Sequence, residues 1–203
     1  YKWVNKKVAK KSSHIITISN FVKNDLIKFT GVNPEKITVT LESADELPKG
    51  NEPVDELIGK KFIMYIGRPT PHKNLRRLID AFALLQKKYP DLTLALAGKK
   101  DSNYAHHETY VNEHGIKNVV FTGFISDEQL RWMYENTAVY CFPSLSEGFG
   151  LPGLEAMLHG APVASSTATC LPETHGDAAH YFDPLSVEDI AKSIDDILSD
   201  DKL

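Results

Sequence analysis

"AVYCFPSLSEGFGLPGLEAML", Ala138 to Leu158, passes from a strand-like apolar run to a helical pattern through a glycine-rich loop. Gly148 and Gly150 reach backbone angles closed to other residues, so their amides can approach a ligand with no side chain in between. Pro152 suits the first turn of a helix, where a missing N–H costs little, and this starts the helix near Leu151. Glu147 then lies in the loop and Glu155 in the early turns, with both carboxylates facing one crevice. An acid near a helix start is also a plain electrostatic cap, and for Glu155 alone that reading stays open. It does not cover Glu147, whose offset gives it no capping role. Nor does it cover the glycines flanking Phe149, which weaken a helix start unless close backbone approach is wanted.

Working outward, "AVYCF" is one of six short runs that alternate with longer helical patterns from residue 61 onward. The others are "KFIMYIG", "LTLALAG", "NVVFTG", "APVASS" and "AAHYF". Such alternation is the mark of a parallel sheet covered by helices, and right-handed crossovers make it a Rossmann-like, doubly wound α/β fold. Leu75, Leu78, Ile79, Phe82 and Leu85 form one apolar stripe at helical spacing, with Asn74 placed to cap it. Ser126 and Gln129 spell a capping box, and Ser186 with Asp189 a weaker one ahead of Ile190, Ile194, Ile197 and Leu198. Residues 1–45 differ in kind, giving strand, helix and strand in "HIITIS", "NFVKNDLIKFTG" and "KITVTLES". Residues 46–60, rich in Pro, Gly and charge, read as a linker to a second unit at 61–203.

Composition removes several classes of function. Of the 203 residues, 42% are hydrophobic and 25% charged, which excludes a disordered chain or a disulfide scaffold. A formal charge of −4 provides no global field for nucleic acid, so none is expected as a partner and any anionic ligand must be held locally. Cys141 and Cys170 have no redox or metal spacing and read as free thiols of a reducing compartment, which points to the cytoplasm. None of the eight histidines pairs with an acid or thiol at ligand spacing, so no metal site is expected. The chain begins at Tyr1 with no secretory leader and no long apolar span, and reads as an excised fragment. Lys2, Lys6, Lys7, Lys10 and Lys11 beside Trp3 allow a peripheral contact with an anionic membrane surface, although a solvated helix end is the plainer reading.

In an open α/β sheet a ligand sits beyond the carboxyl ends of the strands, so the loops there carry function. "GRPTPHKN" follows the first of the six runs. Gly67 permits close backbone approach, while Arg68 and Lys73 bring two permanent positive charges to one helix start, a pattern suited to a diphosphate. Two exposed cations at the start of a helix are the equal alternative for this loop taken alone.

"PSLSEGFGLPGLEAMLHGAPVASS" resembles the signature of retaining, nucleotide-sugar-dependent glycosyltransferases of the GT-B fold, group-one type, marked by Glu, seven residues, Glu. The resemblance runs through "GRPTPHKNLRRLIDAF", "VVFTGFISDEQL" and "CLPETHGDAAHYFDP", covering about residues 61–203. "IITISNFVKNDLIKFTGVNPEKITVT" is similar to the segment leading out of that family's N-terminal acceptor domain, while "VTLESADE" departs from the family's "VIPNGVD". The resemblance implies a donor-binding domain in which Glu155 accepts from the nucleotide ribose and Glu147 faces the donor sugar. Arg68 and Lys73 would neutralise the diphosphate, with Gly67, Gly148, Phe149, Gly150 and Leu151 offering backbone approach. Phe124 and Ile125 would lie near the base. It further implies a retaining transfer, mannose from GDP-mannose being the first expectation and a uridine diphosphate sugar the next, with no cofactor or metal. The acceptor would be a glycan or a lipid-linked acceptor brought by the absent N-terminal domain, at the inner face of a bacterial membrane, and the fragment alone would not turn over. A non-catalytic nucleotide-sugar module or partner subunit needs the same residues, and a nucleotide-sugar epimerase on this fold would not carry "EGFGLPGLE".

Overall fold

In the computed structural model, which describes residues 2–50 and 52–200, the six runs become six strands of one sheet. They are β3 (Phe62–Ile66), β4 (Thr93–Ala97), β5 (Val119–Gly123), β6 (Val139–Phe142), β7 (Val163–Ser166) and β8 (Ala179–Phe182). Their order is β5-β4-β3-β6-β7-β8, every pair is parallel, and Ile63 stands opposite both Leu94 and Val139. The order reverses between β3 and β6, which is the switch point where loops diverge and leave a crevice. A smaller parallel pair, β1 (Ile15–Thr17) and β2 (Ile37–Val39), precedes this sheet together with α1 (Lys2–Lys11) and α2 (Asn20–Thr30).

Helices cover both faces because the central strands are apolar on both. Phe62, Ile63, Met64 and Tyr65 are all buried, as full burial of a parallel sheet requires. Ile63 and Tyr65 pack with Leu78 and Phe82 of α3 (Leu75–Leu85), Tyr104 of α4 (Ser102–Glu113) and Ile194 of α8 (Val187–Leu198). Phe62 and Met64 face Met133 and Tyr134 of α5 (Asp127–Asn136), Ala156 of α6 (Leu151–Leu158) and Leu171 of α7 (Leu171–His175). The α5 capping box closes as expected, Gln129 N donating to Ser126 Oγ and Ser126 N to Gln129 Oε1, both at 3.1 Å. At α8 only half of it forms: Ser186 Oγ accepts from Asp189 N, while the Asp189 carboxylate turns to Asp183 N.

Asn74 does not cap α3. Its backbone is left-handed, with φ 58°, which swings the side chain away from the helix amides. Instead Asn74 Nδ2 donates to Pro143 O at 3.0 Å and Pro184 O at 2.7 Å, and Oδ1 accepts from Arg77, so one buried amide ties three loops together. The segment read as a linker packs closely. Val54 and Leu57 are buried under β3, and Leu47 is held at both backbone groups by His159 and Arg131.

The leading unit meets the main sheet at the start of α2. Ser19 caps that helix and donates to Gly148 O at 2.8 Å. Glu173 of α7 accepts from Asn20 N at 2.7 Å, Asn20 Nδ2 at 2.9 Å and Phe21 N at 3.1 Å. Among the described residues no helix is long and apolar enough to cross a membrane. On α1, Trp3 is exposed and carries the Lys7 ammonium 4.3 Å from its ring centroid.

Candidate active site

Loops after β3 and β4 wall a cavity of about 500 Å³ at the strand ends, lined by Gly67, Arg68, Gly98, Asp101, Phe124 and Ile125, among others. Gly98 has φ 149°, and a Cβ there would lie 2.5 Å from Gly67 O, so neighbouring strand ends close up only without a side chain. Arg68 Nε donates to Asp101 Oδ2 at 3.0 Å while its side chain remains 74% exposed. Asp101 also accepts from the amides of Asn103 and Tyr104 as the cap of α4. Burial pulls its pKa upward, but Arg68 and the two amides outweigh this and leave the carboxyl below its ordinary value. Phe124 presents an exposed ring at the mouth, a flat apolar face of the kind an aromatic base stacks on.

A second group of candidate residues stands on the loop after β6. Lys73 Nζ donates to Glu147 Oε1 at 2.6 Å, and both side chains are largely shielded. The two cations of "GRPTPHKN" therefore each have their own acid, Arg68 beside the cavity and Lys73 at the glycine loop. Glu155 is placed differently. Its nearest polar partner is Tyr134 Oη at 3.4 Å, and among the described residues it has no ion pair. Burial pushes the Glu155 pKa up, Tyr134 and His159 pull it back, and Asp127 at the cavity wall pushes it up again, with a net rise. Both glutamates add to the upward push on the buried Tyr140 phenol, for which burial is the main cause.

Between them α6 begins at Leu151 with Pro152 in its first turn. Gly150 sits at φ 105°, and a Cβ there would meet Leu171 at 2.6 Å, so only glycine fits. The amides of Gly148, Phe149, Gly150 and Leu151 find no acceptor among the described residues. Sequence reasoning missed Asp101, Asp127 and Tyr134. Only Asp101 leaves a readable trace, as a capping residue opening "DSNYAHHE". No group of three or more His, Cys, Asp or Glu among the described residues could hold a metal ion.

The doubly wound sheet carries its acid-flanked glycine loop after β6, next to the point where strand order reverses, and the model of the group 1 glycosyl transferases matches residues 50–203. The chain belongs to that family. It is 33% identical over 202 residues to the O-antigen chain mannosyltransferase B of Escherichia coli, covering 92% of this chain and 52% of that protein. It is 31% identical over 191 residues to the MMP alpha-(1->4)-mannosyltransferase of Mycolicibacterium hassiacum, covering 92% of this chain and 46% of that one. This group 1 glycosyl transferase thus spans about half the length of the curated relatives it matches. Among solved structures, sucrose-phosphate synthase from Thermosynechococcus elongatus superposes with a TM-score of 0.84 at 24% identity, over 98% of this chain and 52% of that one. Anabaena Alr3699/HepE, solved in complex with UDP and glucose, gives 0.84 at 23%, over 99% and 58%. These two likenesses establish the shared fold of GT-B glycosyltransferases.

Proposed function

We propose that this chain is the donor half of a retaining glycosyltransferase that moves a hexose, mannose in the first instance, from a nucleotide diphosphate sugar to a glycan or lipid-linked acceptor. The observation that carries the reading is the row of amides from Gly148 to Leu151, unpartnered among the described residues, set between a carboxylate paired with Lys73 and one with no such ion pair. The diphosphate lies on those amides and on the positive end of α6, with Arg68 released from Asp101 to reach it. Ribose hydroxyls donate to Glu155, whose carboxylate has no competing cation. The base rests against Phe124 and Ile125, with Gly67 admitting close approach.

In transfer, charge develops on the departing phosphate, and donors fixed before the reaction stabilise it. Removal of one such donor costs roughly 3–4 kcal/mol of transition-state energy in comparable sites. The leaving phosphate takes the acceptor proton on the same face, so neither glutamate forms a bond to the sugar. Lys73 holds Glu147 towards the donor sugar as a hydrogen-bonding group. No metal has a part in this scheme. Mannose and its guanosine diphosphate carrier are proposed because two curated relatives are mannosyltransferases, and a uridine diphosphate sugar is the competing donor. The acceptor would bind chiefly outside the donor half, at the cytoplasmic face of a membrane.

Calorimetric titration of the chain with GDP, UDP, ADP and GDP-mannose, beside Glu155→Ala, tests the reading. One nucleotide should bind and weaken in the variant. Equal binding by both proteins would remove the ribose role of Glu155.

A further inference from the structure

The free amides of the glycine loop have a counterpart in its carbonyls, every one of which is held from behind. Cys170 Sγ lies 3.3 Å from Glu147 O and 3.4 Å from Phe149 O, placed as a weak donor to both. Ser19 Oγ donates to Gly148 O at 2.8 Å. Thr174 Oγ1 donates to Phe149 O at 2.7 Å. His175 Nε2 lies 3.2 Å from Gly150 O and must donate to it, which leaves Nδ1 to accept from Ser165 Oγ at 3.1 Å. Ser19, Cys170 and His175 are buried, so water does not replace these bonds cheaply. A peptide unit whose carbonyl is tied to one side points its N–H to the other.

We propose that Ser19, Cys170, Thr174 and His175 are positioning residues that fix the orientation of the Glu147–Gly150 loop and so aim its amides into the crevice. None of them touches the ligand. They act on the loop from α7 and from the cap of α2, which Glu173 joins to each other. Preorganised amides bind an anion without first reorienting, so loss of one anchor weakens recognition of a phosphate more than recognition of a base or ribose. The proposal rests on the donor reading only for which ligand meets the amides.

The test uses the full chain with Thr174→Val, which keeps the shape and removes the hydroxyl, and Thr174→Ser, which restores it. One readout needs no ligand: amide hydrogen exchange at Glu147, bonded to Thr169 Oγ1, and at Gly153, bonded to Gly150 O. Exchange at both should quicken about tenfold in the valine variant and return in the serine variant, with β3 and β6 unchanged. The other compares UDP with uridine and GDP with guanosine. The margin of the diphosphate over its nucleoside should shrink about tenfold in Thr174→Val and recover in Thr174→Ser, with nucleoside affinity constant. Unchanged exchange overturns the proposal whatever binds, and so does quickened exchange with an intact margin. A wild-type chain that prefers neither diphosphate refutes the donor reading instead, and the exchange result then decides the positioning role alone. Should Thr174→Val not fold, Ser19→Ala removes the anchor supplied by the cap of α2 and is judged by the same two readouts.

Discussion

Glu147 and Glu155 bracket one glycine loop, yet the chain surrounds them differently. Glu147 is neutralised by Lys73 at 2.6 Å, whereas Glu155 has a tyrosine hydroxyl for company and is pushed towards protonation by its own burial. A carboxylate with a bound cation is held in one orientation and keeps its second oxygen for another donor. One held by a weak, neutral partner accepts readily from a diol. The comparison therefore separates an acid oriented by a cation from one with no ion pair among the described residues, although in the sequence the two look alike.

The largest effect should come from breaking the pair. Lys73→Met leaves a shielded carboxylate without its cation and should lower stability by about 3 kcal/mol in denaturant unfolding, with Lys73→Met/Glu147→Gln recovering most of the loss. If the double variant is no better than the single, Glu147 is not held by charge. Next, Glu155→Ala should weaken nucleotide binding by about 10-fold to 100-fold in calorimetry, and Glu147→Gln by far less, since hydrogen bonds to a charged group are worth roughly 1.5–3 kcal/mol. Equal losses would erase the distinction between the two acids.

Acidity sharpens it further. Because the Glu155 pKa is raised in the folded chain, its carboxylate is present at higher pH and protonates before an ordinary glutamate does. Nucleotide affinity should fall as pH drops through that raised value. Stability should not fall with it on account of this group, because a carboxyl with a raised folded-state pKa favours the fold when protonated. Parallel titrations of binding and of thermal unfolding check the two signs. The smallest effect belongs to Arg68→Gln. Its pair with Asp101 is exposed, so stability should change by no more than about 0.5 kcal/mol, while the preference for diphosphate over nucleoside narrows.

What could be read from sequence followed range. Strands, the capping box at Ser126 and the helix start at Pro152 depend on residues within a few positions of one another, and each stands where the pattern put it. Asn74 misled because a capping residue type was assigned a capping backbone, and the left-handed turn after Lys73 forbids one. The glutamate spacing set one acid in the loop after β6 and the other in α6. It said nothing of which acid a cation would reach, since Lys73 and Glu147 are separated by 74 positions and meet only because β3 and β6 are neighbours. Val54 and Leu57, buried, and Leu47, partly so, were hidden among polar residues without period, although all three pack on the core beside Phe62 and Met64. The anchors at residues 170–175 were invisible for the same reason of distance.

One short helix ends up with obligations on two sides. Glu173 of α7 grips the start of α2, while Thr174 and His175, the next two residues, grip the glycine loop. A single residue inserted within Leu171–His175 would turn everything after it by about 100° and carry one of those grips off its partner. Length is thus as strongly constrained here as residue type. Anyone exchanging donor loops between enzymes of this family should transplant 147–151 and 169–176 together, because either segment alone would arrive without the surface that shapes it.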